Sequence, residues 1–326
     1  MRRSIARLTS VLASTLMLAA CGGAAGTSSS PAATASTAPV TLSIGTVGVI
    51  DVAPLYLGIK KGFFAKQQIT LNTKVLNTGA TVVAGVVAGD LQMGFSNITS
   101  IVIAASNRFP VHIVAAGNQA AGGDYSAVYV RNDSPITSAK DLVGKKIAVN
   151  GIKNIGSLCV NAALQASGVS LNQVTQIPYQ EVPFPQMGAA LAQGIVDAVW
   201  TVEPWSSVVK GGGNVRVVLR PFTLIAKYFP IASYFTTPQY TQANSGIVSR
   251  FKTAINQSLV YAQTHPAEAR AVLSSYIKLA PGLADQVQVP YWKTDLEPNL
   301  IQKTADLAVQ YGYATAKPNM KQLLGS

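Results

Sequence analysis

Small polar side chains recur in this sequence at the points where short apolar runs stop. Thr46, Asp51 and Pro54 follow the first run, and Asn77, Thr78, Gly79 and Ala80 follow the second. Ser96, Asn97 and Thr99 follow the third; Asn150, Asn154, Gly156 and Ser157 follow another, and Thr201, Glu203 and Trp205 a further one. If the runs are strands and the polar clusters open helices, these positions lie beyond strand carboxyl ends, where open α/β sheets hold their ligands. Helix beginnings rich in Gly, Ser, Thr and Asn present unpaired backbone N–H groups and a positive dipole end. Several such ends around one cleft could hold a sulfonate, carboxylate or nitrate without an arginine. The same residues could equally serve only as caps.

Three acids complicate an anion site. Asp51, Glu181 and Glu203 would favour an amine, amidine or pyrimidine donor. Glu203 could instead brace its own loop, and Glu181, in Glu181-Val182-Pro183-Phe184-Pro185, could cap the helix that follows. An anion is favoured slightly over a cationic or neutral heterocyclic solute. Tyr125 and Trp205 could stack on a planar solute or simply pack. Nothing points to catalysis: there is no Ser-His-Asp order, no phosphate-binding glycine loop and no zinc motif. His112 and His265 are the only histidines and lie far from each other in sequence. The expectation is no catalytic residue, no metal and no cofactor.

The elements that must position these residues can be read from periodicity. Strands are expected at 41–46, 69–75, 91–95, 111–116, 127–131, 146–150, 196–201, 215–219 and 231–236, with 173–179 leading into another. Helices are expected at 54–62, from Thr78-Gly79 to Gly89, and at 97–107, 138–142, 156–168 and 185–193. After Tyr240 the chain reads as helical, at 242–264, 266–278, 282–289 and 298–312. Alternation at this spacing predicts an α/β fold with largely parallel sheets. Val87-Ala88-Gly89-Asp90-Leu91-Gln92-Met93-Gly94-Phe95-Ser96 is echoed by Ala192-Gln193-Gly194-Ile195-Val196-Asp197-Ala198-Val199-Trp200-Thr201. Each is a helix end, a glycine, an apolar strand, then an aromatic and a hydroxyl residue, which suggests two similar lobes.

The N-terminus has another character. Arg2, Arg3 and Arg7 precede an apolar run closed by Leu18-Ala19-Ala20-Cys21. That is the layout of a secretory signal at 1–20, too short for a mature membrane span. Its last four residues resemble a bacterial lipobox, which implies cleavage before Cys21 and lipidation of its sulfur. Residues 21–40, uncharged and rich in Gly, Ala, Ser, Thr and Pro, read as a flexible tether. The net charge of +12 falls to +9 (12 − 3) once the signal's arginines leave. Lys and Arg are scattered, without basic runs or interleaved aromatics, which argues against nucleic acid. A basic protein near an anionic membrane surface fits better. Cys159 is then the one cysteine left in the body, so no internal disulfide is expected.

Pro54-Leu55-Tyr56-Leu57-Gly58 with Lys61-Gly62-Phe63-Phe64 resembles the opening of the nitrate/sulfonate/taurine-type ABC-importer binding proteins, a group that includes binders of thiamine-pyrimidine precursors. Further matches come in the same order: Gly89-Asp90-Leu91-Gln92-Met93-Gly94, Ser138-Ala139-Lys140-Asp141-Leu142 with Gly144-Lys145-Lys146, Gly194 to Ala198, and Glu203-Pro204-Trp205. The similarity spans about 41–240. It implies a two-lobed periplasmic-binding-protein-like fold (type II), with lobe one at 41–125 plus 237–326 and lobe two at 126–236. Crossovers would lie near 124–127 and 233–237. It also implies a monomeric solute-binding lipoprotein on the outer side of the cell membrane, delivering a small molecule to an ABC permease and its ATPase. Asp51 departs from the small polar residue more usual before the first motif. A pyrimidine synthase of related fold carries a cysteine-rich iron motif, which this chain lacks. A ligand-sensing lipoprotein is the alternative outside transport.

Overall fold

The computed structural model describes residues 38–325; the signal segment, Cys21 and the tether up to residue 37 lie outside the described residues. The chain forms eleven described strands: β1 Val40–Val47, β2 Ile69–Leu76, β3 Met93–Asn97, β4 His112–Gln119, β5 Ser126–Arg131, β6 Ile147–Val149, β7 Tyr179–Glu181, β8 Ala198–Val202, β9 Val215–Leu219, β10 Pro230–Thr236 and β11 Tyr291–Trp292. Val40 pairs with Ile69, so the expected tether ends one residue earlier than residue 40.

The strands form two sheets, ordered β11-β4-β10-β3-β1-β2 and β7-β6-β8-β5-β9. This is the expected α/β architecture, but the sheets are mixed rather than largely parallel. β1, β2 and β3 are parallel, as are β6, β7 and β8, while β5 and β10 run antiparallel to their neighbours. The reason lies in the crossovers. β5 and β10 each start where the chain arrives from the other sheet, at the end where the parallel strands finish. They must run away from that end. Because β10 pairs with β3 and β4, the second crossover falls at 220–229, between β9 and β10, and not at 233–237. The second lobe therefore stops before Pro230.

Local signals place the helices well. Thr78 caps the helix Gly79–Val87 in a capping box, accepting from Thr81 N, and Asn97 caps Ile98–Ser106 by accepting from Ser100 N. Asn154 and Ser157 form a capping box on Ile155–Ala166. The echoed glycines, Gly89 and Gly194, both take positive φ, 85° and 69°, just past helix ends. Glycine takes a left-handed conformation there at least cost, because it lacks a Cβ.

The region after Tyr240 is not helical throughout. The helix Ser245–Thr264 buries Phe251 against Phe64 and Tyr234, with ring centroids 5.7 and 5.8 Å apart. The expected 266–278 helix stops at Ala271 and tightens into a 3₁₀ turn, Val272–Ser275. The expected 282–289 helix shrinks to Leu283–Gln286. Pro290, which lacks an N–H, precedes a two-residue edge strand, β11, that adds to β4. At 173–179 a short helix, Leu171–Val174, with its own Ser170 cap, precedes β7.

Candidate functional site

Loops from the two sheets meet at residues 48–52. Trp205 Nε1 donates to Gly48 O at 2.7 Å, and Ile50 N donates to Glu203 O at 3.1 Å. Asn150 Nδ2 reaches Asn77 O at 3.4 Å. Beneath these bridges is an inner cavity of about 40 Å³. The carboxyl ends of four strands supply its walls, with Val47 from β1, Ser96 and Asn97 from β3, Asn150 just past β6, and Trp200 and Val202 from β8. Asp51 and Gly79 also line it. An outer chamber of about 680 Å³ meets the inner one at Val47 and Phe184, which line both. Its walls are mainly apolar and aromatic, with Asn77 and Trp205 among them.

Asp51 is the most constrained polar group here. It is 2% exposed. Its Oδ1 accepts from Tyr125 OH and from Asn118 Nδ2, each at 2.5 Å, and its backbone carbonyl accepts from Trp292 Nε1 at 3.0 Å. Thus β4, the first crossover and the edge strand β11 all fix it. Asp51 Oδ2 has no hydrogen-bond partner within the protein, and neither do Asn150 Oδ1 and Trp200 Nε1. Burial lifts the Asp51 carboxyl from its ordinary 3.8 to about 6, against the lowering effect of its hydrogen bonds. Tyr125, buried beside it, is pushed well above the usual phenol range, first by burial and then by the Asp51 charge.

Of the residues picked from the sequence, Asp51, Gly79, Ser96, Asn97 and Asn150 come together around the inner cavity, and Asn77 and Trp205 line the outer chamber. The others lie elsewhere. Thr46 is buried and shares a hydrogen bond with Tyr56 OH at 3.3 Å. Pro54 is buried in the first turn of the helix Ala53–Lys60, and Ala80 points to solvent. Tyr125 stands behind Asp51. Ser157 is spent on its capping box. Gly156 lies under the Trp200 ring, where a Cβ would come within 2.5 Å of ring carbon. Glu203 braces its own loop, its carboxylate accepting from Ser207 N at 3.1 Å and Ser207 OH at 2.9 Å. Burial lifts it to about 6 despite those bonds. Glu181 does not cap the helix after it; it accepts from Ile152 N at 2.7 Å and ties down the 150–154 loop. Cys159 is fully buried, and burial pushes its thiol well above the ordinary range.

The apolar walls were not picked from the sequence. Phe95, Ile155, Phe184, Trp200, Phe222 and Ile231 line the inner cavity. They are apolar or aromatic and so carry none of the polar signals at strand ends, although Trp200 sits one residue before Thr201. The second crossover, which brings Phe222 and Ile231, could be located only from sheet order.

Two mixed sheets joined by two crossovers, with a cavity between the strand carboxyl ends, define the chain as a two-lobed protein of the periplasmic-binding-protein fold. Solved structures share that fold. The alkanesulfonate-binding protein SsuA from Xanthomonas axonopodis pv. citri, bound to MOPS, superposes with a TM-score of 0.72 at 19% identity over 85% of this chain and 95% of that one. The desulfurization enzyme DSZB superposes with a TM-score of 0.62 at 15% identity over 87% and 96%, so the fold also supports catalysis elsewhere. Residues 49–269 match the family described as NMT1/THI5 like, and the chain belongs to that family. The riboflavin-binding protein RibY of Chloroflexus aurantiacus is 26% identical over 306 residues, covering 86% of this chain and 83% of the relative. The taurine-binding periplasmic protein of Escherichia coli K12 is 28% identical over 153 residues, 47% of this chain and 45% of that one.

Proposed function

We propose that this protein is the solute-binding component of an ABC importer, that it captures one small molecule between its two sheets, and that a membrane permease receives the molecule. The observation that carries this reading is the inner cavity, where polar residues from both sheets converge with unpartnered buried atoms. Relatives and structural neighbours named for binding taurine, riboflavin and a sulfonate support it. No helix among the described residues is long and apolar enough to cross a membrane, in keeping with a body held at the surface by another device. That device is the lipid on Cys21. Opening about the two crossovers admits solute, and closure buries it.

A solute at about 100 times its dissociation constant should stabilise the protein by about 2.7 kcal/mol. For a body of this size that raises the melting temperature by about 5 °C or more. A melting panel of amines, amidines, sulfonates, nitrate, carboxylates and pyrimidines tests it. Turnover of any of these without a melting shift would refute capture as the function. Replacing Cys21 with Ser should move the protein from the membrane fraction to the soluble fraction and leave solute affinity unchanged. Retention in the membrane fraction would remove Cys21 as the anchor.

A further inference from the structure

Asp51 sets a carboxylate into the inner cavity with no cation beside it. Neither lysine nor arginine lines that cavity. With its pKa at about 6, the group is ionised at neutral pH. A buried charge is costly unless it is paired. Oδ1 is satisfied by Tyr125 and Asn118, while Oδ2 is unpartnered. A second acceptor comes from the other sheet. Asn150 is 7% exposed and lines the same cavity; its Nδ2 is engaged by Asn77 O, and its Oδ1 is left without a partner. A second carboxyl, Glu203, stands outside the cavity lining, with the Lys210 charge acting on it. Glu203 N donates to Tyr125 O at 3.0 Å, and the Tyr125 phenol feels both the Asp51 and Glu203 charges.

Size and polarity divide the site in two. About 40 Å³ has room for a small polar group and not for a ring. The outer chamber of about 680 Å³ is in the range that holds organic ligands. Val75, Leu76, Phe184, Trp205, Ile277 and Leu283 make it apolar, and its one lysine, Lys278, is exposed to solvent.

We propose that the captured solute is an organic cation, whose ammonium or amidinium head donates to Asp51 Oδ2 and Asn150 Oδ1 while its apolar body occupies the outer chamber. The solute supplies the countercharge that the cavity lining lacks. This rests on the cleft-capture reading above and narrows its substrate. An anion without a nitrogen head, such as nitrate or a simple sulfonate, meets the Asp51 charge with no cation in the inner cavity to offset it.

The test is calorimetric titration of the full chain at pH 8 with benzamidine and phenethylamine, set against benzenesulfonate and nitrate. The cations should bind one to one, at least about tenfold more tightly than benzenesulfonate. Asp51→Asn should weaken cation binding at least about thirtyfold, the scale for removing one partner of a buried charge pair. Asn150→Asp adds a second carboxylate to the cavity and should tighten binding of the same cations severalfold. It keeps the proposal testable if the first variant folds poorly. Binding of benzenesulfonate in preference to both cations, strengthened by Asp51→Asn, overturns the cation assignment and leaves capture standing. Cation binding unchanged by either variant also overturns it. Turnover of any panel compound without binding would instead refute the capture reading itself.

Discussion

Asp51→Asn is expected to raise the stability of the solute-free protein by about 3 kcal/mol at pH 8 and to change it little below pH 4. Burial moves this carboxyl from 3.8 in an exposed chain to about 6 in the folded protein. A group whose folded pKa is raised stabilises the fold fully below its unfolded pKa, and that stabilisation is lost as pH rises through the folded value. About two units at 1.36 kcal/mol each give the figure. Asn keeps the shape and an acceptor for Tyr125 and Asn118, and removes the charge. Scanning calorimetry of both proteins from pH 4 to 8 reads the difference, about 6 °C or more at the upper end. A variant less stable than the parent at pH 8 would mean that the folded protein already compensates the carboxylate. Glu203 acts in the same direction, raised from 4.5 to about 6. The parent should therefore lose stability on two accounts as pH rises from about 4 to about 6, and change little above that. A stabilised Asp51→Asn variant that has lost its solute would show a binding site maintained at the expense of stability.

Trp200→Ala is expected to cost about 4 kcal/mol and to abolish solute capture. Trp200 lies on β8, between β6 and β5 in the second sheet, and is 1% exposed. Its ring packs on the backbone at Gly156, with Phe184 6.1 Å away and Phe222 6.3 Å away between centroids. Truncating a buried Trp to Ala typically costs 3–5 kcal/mol, because the surroundings close only partly over the void. Here the void would also join the inner cavity and remove a wall from the solute's head group. Urea unfolding gives the stability change as a shift in midpoint at constant slope. A cost under about 1 kcal/mol would show that the second sheet does not pack around this ring as described. The effect on capture is separable, because Trp200→Phe retains an aromatic wall while removing the unpartnered Nε1 donor and part of the ring bulk against Gly156.

Much of this protein is legible along the chain. The capping boxes at Thr78 and Asn154, the Asn97 cap, and the left-handed glycines at 89 and 194 each depend on a few neighbouring residues. Such signals survive in sequence because their hydrogen bonds close within one turn. The strands emerge from period and composition for the same reason. Even the convergence of Asp51, Gly79, Ser96, Asn97 and Asn150 was partly readable, since polar residues beyond strand carboxyl ends are brought together by the handedness of βαβ units.

What sequence could not decide depends on partners far along the chain. Nothing near Pro230–Thr236 tells that this strand returns to the first sheet, between β3 and β4; only the order of the completed sheet fixes it. Nothing near Glu181 tells that its carboxylate takes Ile152 N instead of capping the next helix. Asp51 is the sharpest case. The sequence by itself determined that an acid stands at the mouth of the first helix, in a chain with the motifs of a family of known fold. Tertiary structure alone decided its surroundings. Asn118 comes from β4, Tyr125 from a crossover and Trp292 from an edge strand some 240 residues on. A side chain's chemistry is set by the charges, donors and solvent around it, and packing supplies those from distant parts of the chain.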